Sequence, residues 1–119
     1  MSSEPFFVVK NLAKALVDDF SGQLYPNSFN IAHFVYSNLV GQFELDLDQR
    51  RQIVQETRFH GDLGGDSLDV IDLFAKMGRQ LGTVVLYNEK EFLAKVRTDD
   101  LRVKDFLFTV YENHLTCLE

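Results

Sequence analysis

The chain has 119 residues, 45% of them apolar and 25% charged, which suits one soluble globular domain and excludes disorder over most of its length. Its net charge of −6 offers no basic stripe to nucleic-acid phosphates. A single cysteine, Cys117, excludes a disulfide framework and suits a reducing compartment, and no apolar run approaches the length of a membrane span.

The charge is concentrated. Between Gly41 and Asp72 eight acids accompany three bases, so this segment holds −5 of the −6. Such a segment is a solvated face or a docking surface for basic partners.

The N-terminus, MSSEPFFVVK, has no basic stretch before its short apolar run and so does not read as a secretory signal. A cytoplasmic protein is expected. Ser3 is a candidate cap for a first helix, with Pro5 in its first turn. That helix is expected to run from Phe6 to Phe20 and end before Gly22. Residues Tyr25–Asn30 (YPNSFN) form a turn-rich connection. The organisation expected is therefore an N-terminal helical extension, 1–30, packed on a domain spanning 31–117.

Ile31–Phe43 has helical rather than strand spacing. Glu44–Gly65 is long, polar and acidic, with room for a short helix at Asp48–Gln55 and with Phe59 and Leu63 as its anchors. A loop of this length inside a compact domain is usually functional. Ser67–Gln80 is the clearest helix, capped by Asp66 or Ser67 and stopped by Gly82. Its polar residues Asp69, Asp72, Lys76, Arg79 and Gln80 share an arc of about 100°. The apolar remainder is wider than one core needs, so a flank is left for a ligand, a partner or the N-terminal extension. Val84–Tyr87 reads as an extended linker. Asn88 caps a short helix at Glu89–Val96, and Thr98, Asp99 or Asp100 caps a last helix over Leu101–His114. The fold class expected is all-α.

The chemistry lies in Phe59–Gly82, FHGDLGGDSLDVIDLFAKMGRQLG. Asp62-Leu63-Gly64 is a turn, Gly65 a spacer and Asp66-Ser67-Leu68 a triplet opening a helix. A serine there presents its hydroxyl beyond the packed turns, and the helix N-terminus favours a phosphodiester formed on it. The unmodified alternative is a serine that simply caps the helix.

This block resembles the acyl carrier protein family. The likeness extends to the tail Leu101-Arg102-Val103-Lys104-Asp105-Phe106 and covers roughly 85 residues, Ile31 to Leu115. It implies an acyl-carrier-like bundle of three long helices and a short one, here with an added N-terminal helix. It also implies a covalent 4′-phosphopantetheine arm on Ser67, with Asp66 helping to hold the metal ion of the phosphopantetheinyl transferase. Independently of the resemblance, Leu68 is expected to anchor the helix just after the serine.

By position, Asp62, Asp69, Ile71, Asp72 and Ala75 would meet acyl-loading and acyl-transfer enzymes through basic docking surfaces. The family implies a carrier rather than an enzyme, without a resident metal, and a monomer is expected. Two departures stand out. Gly78 and Arg79 replace the family's glutamates, Lys76 adds a positive charge, and Ser67–Gln80 has no net charge. Partners are therefore expected in a specialised lipid, fatty-acid or polyketide pathway. The second departure is the extension itself.

Two other readings compete. Gly65-Asp66-Ser67-Leu68 spells the nucleophile block of the GDSL esterases, but none of His33, His60 and His114 has the Asp three residues before it that this chemistry needs. A carrier-like interaction module with an unmodified serine is the other. No metal-ligand cluster, calcium loop or glycine-rich phosphate loop is present.

Overall fold

The computed structural model describes residues 6–16 and 28–118, at Phe6 and 114–118 in backbone only. The described residues form six helices and no strand: α1 Phe6–Ala13, α2 Ser28–Phe43, α3 Leu47–Arg51, α4 Ser67–Leu81, α5 Glu89–Arg97 and α6 Val103–Leu118. The fold is all-α. Among the described residues no helix is long and apolar enough to cross a membrane.

Helix α2 starts three residues before the expected Ile31, so the boundary drawn between residues 30 and 31 falls inside it. Ser28, Phe29 and Asn30 make its first turn, with Ser28 buried. Helix α1 is shorter than expected. Past Ala13 the backbone tightens through bonds such as Leu16 N–H to the Ala13 carbonyl, 3.0 Å. Ser3, Pro5, residues 17–20, Gly22 and the turn at 25–27 lie outside the described residues. Helix α1 packs on α2, which in turn packs on α4 and α6. Val8, Val9, Leu12 and Ala13 of α1 and Leu16 beyond it are buried.

The ends of α4 follow local chemistry. Asp66 accepts from the Asp69 N–H at 3.0 Å, and the Asp69 carboxylate accepts from the Asp66 N–H at 2.9 Å, a reciprocal capping box. Gly82 ends the helix with a φ of 70°. Asn88 caps α5 as expected, accepting from the Glu91 N–H at 3.1 Å.

The start of α6 differs from expectation, and none of the three proposed caps serves. The N–H groups of Val103 and Lys104 donate to the carbonyls of Thr57 and Gln55, at 3.0 and 3.1 Å. Thr98 instead ends α5, and Asp99 follows it with a φ of 57°. The Asp100 N–H then reaches back to the Lys95 carbonyl at 2.7 Å. Asp99 thus occupies the left-handed position that glycine usually fills at a helix C-terminus.

The linker 84–87 pairs with no strand. Asn113 takes a strand's place: its side chain accepts from the Leu86 N–H and donates to the Leu86 carbonyl, both at 2.8 Å. Val85 is buried, and Tyr87 lies flat on Phe74 with ring centroids 3.9 Å apart.

Aromatic rings fill the middle of the bundle. Phe43 meets Phe59 edge-on, Phe59 meets Phe106, and Phe106 meets both Phe74 and Phe92, all at centroid separations of 5.2–5.4 Å. Each such pair adds about 0.5–1.5 kcal/mol beyond the burial of its area. The chain of rings joins α2, α4, α5 and α6 to the loop before Ser67.

Candidate functional site: the Ser67 loop and the exposed edge of α4

The loop from Thr57 to Asp66 is built by many short constraints. Phe59 N–H donates to the Leu101 carbonyl at 2.8 Å, and Arg58 and Arg102 form an isolated antiparallel bridge. The Asp99 carboxylate clamps the loop from outside, accepting from Gly61 N–H at 2.7 Å and from the Arg58 guanidinium at 2.8 Å. Arg102 and Lys104 both reach Glu56, at 3.2 and 3.0 Å.

Two glycines bring the chain to Ser67, for different reasons. Gly64 has a φ of 76°, which a side chain disfavours. Gly65 has an ordinary φ but no room, because a Cβ there would collide with the ring of Phe59. Its N–H donates to the Phe59 carbonyl at 2.8 Å, and its carbonyl lies 2.9 Å from His60 Nδ1, which therefore donates as N–H.

Ser67 is the first residue inside α4, not its cap, since Asp66 holds that position. Among the described residues no group bonds the Ser67 hydroxyl, and the N–H groups of Ser67 and Leu68 have no partner. The side chain is half-buried. A hydroxyl, two unsatisfied backbone donors and the positive end of the helix dipole therefore converge at one point. A loop, not a strand, precedes it.

The site residues expected from the sequence divide into two groups. Ile71, Asp72 and Ala75 are exposed along one side of α4, with Ile71 at 41%. Asp72 meets no partner among the described residues. Its neighbour one turn on, Lys76, is drawn to Gln42 at 2.6 Å instead. The other acids are engaged. Asp69 is half-buried, with one oxygen in the capping box and the other accepting from Gln42 at 2.9 Å. Asp62 accepts from the Arg58 N–H at 2.8 Å. That bond, reinforced by the Arg58 charge and opposed by slight burial, holds its carboxyl below the ordinary value.

Leu68 does not anchor the helix. It is 71% exposed, and the anchoring falls to Val70, Leu73, Phe74 and Met77. Leu68 lies on the same side of α4 as Ile71, Asp72 and Ala75, three, four and seven residues on and all exposed, whereas Val70 and Leu73 face the core.

Gly78 has a structural reason. A Cβ there would come 2.7 Å from the Thr83 carbonyl oxygen, so the missing side chain lets the 83–84 backbone fold over α4. This leaves a groove of about 500 Å³ beside Ile71 and Ala75, floored by Phe74 and closed by Val84 and Tyr87. Asp99, Arg58 and Gln42 carry no motif and were not legible in advance. Only the fold brings them to the loop and to α4.

Among the described residues no cluster of His, Cys, Asp or Glu fits a metal ion. Comparison of the chain with protein-family models, with curated proteins and with solved structures gave no match.

Proposed function

We propose that this chain is an acyl carrier protein, which holds acyl or related intermediates as thioesters on a 4′-phosphopantetheine arm attached to Ser67. The observation that supports this best is the division of labour at the start of α4. Asp66 and Asp69 cap the helix between themselves, so Ser67 is not needed as a cap and keeps an unengaged hydroxyl beside two free N–H groups. The long helices α2, α4 and α6 with the short α5 suit an acyl-carrier-like bundle, to which α1 is an addition.

Attachment exchanges a phosphoanhydride bond of coenzyme A for a phosphoester bond to Ser67. The Ser67 oxygen forms a bond to phosphorus of the pyrophosphate of coenzyme A as the bond to the adenosine bisphosphate breaks. The hydroxyl proton passes to a base of the transferase. The phosphodiester then faces the N–H groups of Ser67 and Leu68. The second oxygen of Asp66 is free to face the transferase's metal ion. The reading makes the chain a cytoplasmic, non-catalytic carrier, and Leu68, Ile71, Asp72 and Ala75 the edge its enzymes touch.

The test is incubation with coenzyme A and a broad-specificity phosphopantetheinyl transferase, followed by intact mass. One adduct on the wild type and none on Ser67→Ala supports the reading. No adduct with several such transferases rejects it in favour of an unmodified interaction module.

A further inference from the structure

We infer that α4 pairs with the α4 of a second copy of this chain, antiparallel, about a two-fold axis near Ala75. The inference does not depend on modification of Ser67.

It begins with two charges on the open side of α4. Asp72 and Arg79 are exposed, and neither meets a partner among the described residues. Lys76, the natural partner of Asp72 one turn on, is held by Gln42 at 2.6 Å. Arg79 has no acid three or four residues away on its helix. Seven residues separate the two charges, so they lie on one side of α4 about 10 Å apart along its axis.

An antiparallel two-fold pair centred between them sets Asp72 of each copy opposite Arg79 of the other. The two ion pairs are equivalent by symmetry, as a closed interface requires. At the centre stands Ala75, small enough for close approach of two helices. The apolar surface repeats the same symmetry. Leu68 lies about seven residues before the axis, and the groove, which runs past Ala75, has its Thr83 and Val84 end about as far after it. Pairing sets the exposed Leu68 of one copy over the Val84 end of the groove in the other. Val84 is 77% exposed, so both sides of this contact are uncovered by the described residues.

The electrostatics permit such pairing here and not over the acidic loop. Each chain bears −6, but Ser67–Gln80 has no net charge, so α4 is a neutral face on an acidic protein. One helix edge is small beside a standard interface, so the association is weak and concentration-dependent. This departs from the monomer expected from the sequence. It also uses the edge that the proposed function gives to partner enzymes, so self-pairing and docking exclude one another.

Sedimentation equilibrium of the full, unmodified chain from micromolar to millimolar concentration tests the inference. A reversible monomer–dimer equilibrium that weakens with added salt is expected. Asp72→Arg and Arg79→Asp, each placing like charges opposite one another twice, should weaken it by about tenfold or more. The double variant restores both pairs with their signs exchanged and should return close to wild type. Both positions are exposed, and a circular dichroism melt of each variant confirms the fold. A monomer at every concentration overturns the inference and leaves the groove to a different protein. A double variant no tighter than the single ones also overturns it.

Discussion

The ring of Phe59 occupies the space that a side chain at Gly65 would take, and Phe59 is itself fully buried. The ring cannot retreat, because Phe43 and Phe106 close on it at 5.3 and 5.2 Å. Gly65→Ala should therefore act as an overpacking change and cost about 1–3 kcal/mol. Gly64→Ala has open space but a φ of 76°, so its cost is strain alone, about 1–2 kcal/mol. Denaturant melts should show both losses. A Gly65→Ala protein as stable as wild type would show that the ring and the loop are not locked together. The same change should slow modification of Ser67, two residues on.

Ser67 and Asp66 should separate stability from chemistry. Removing the cap by Asp66→Ala should cost about 0.5–2 kcal/mol, while Asp66→Asn, which keeps an acceptor, should cost less. Ser67→Ala removes a hydroxyl that bonds nothing among the described residues, so its stability should stay within about 0.5 kcal/mol of wild type. The paired readouts are urea midpoints and intact mass after transferase treatment. A large stability loss in Ser67→Ala would return the serine to a structural role.

How far this site was legible depends on whether its causes are local. The limits of α4 were, since Asp66 and Gly82 act on their own neighbours. The limits of α6 were not, because its first N–H groups bond carbonyls of Gln55 and Thr57, some fifty residues earlier. Asp99 departs from its expected role for the same reason. Its residue type suggests an N-cap, and only the fold shows it as the left-handed end of α5 and the clamp on Gly61. Leu68 shows the opposite error. An apolar residue beside a helix start suggests an anchor, but Leu68 falls on the side of α4 that Ile71, Asp72 and Ala75 leave open, while Val70 faces the core. Periodicity left the flank of α4 unresolved between burial and exposure, and the structure places Ile71 in the open.

Asp62 makes the loop sensitive to acid. The Arg58 N–H bond stabilises its carboxylate, so its folded pKa lies below the ordinary 3.8. A depressed folded value means that the carboxylate's contribution is present above 3.8 and is lost as pH falls through the folded pKa. Wild-type stability should drop below about pH 4 more steeply than that of Asp62→Asn, which cannot titrate. Urea melts at several pH values read the difference. Parallel curves for the two proteins would show that the bond contributes nothing.

Ile71→Asp distinguishes a docking edge from hidden core. Ile71 is exposed, so the added carboxylate stays solvated and the melt should shift little. Leu73→Asp, two residues on and fully buried, should unfold the domain, because an unpaired buried charge costs several kcal/mol. On the proposed function Ile71→Asp should still accept the arm at Ser67 if folded, but should transfer cargo poorly to its enzymes. An Ile71→Asp protein that melts as early as Leu73→Asp would place this edge inside the fold.

The contact of α1 with α2 is testable at Leu12, which is fully buried. Helix α1 has eight residues, far too few for stable helix in water without packing. Its order therefore depends on the apolar contacts with α2, and Leu12→Asp should release it. The surface uncovered is apolar, so the variant should bind a hydrophobic dye, melt at lower temperature and aggregate as concentration rises. Phe7 lies on the outer side of the same helix, and Phe7→Asp should change none of these readouts. The comparison controls for added negative charge, which is equal in the two variants. If Leu12→Asp behaves like Phe7→Asp, α1 is not held by this face, and the bundle does not need its first helix.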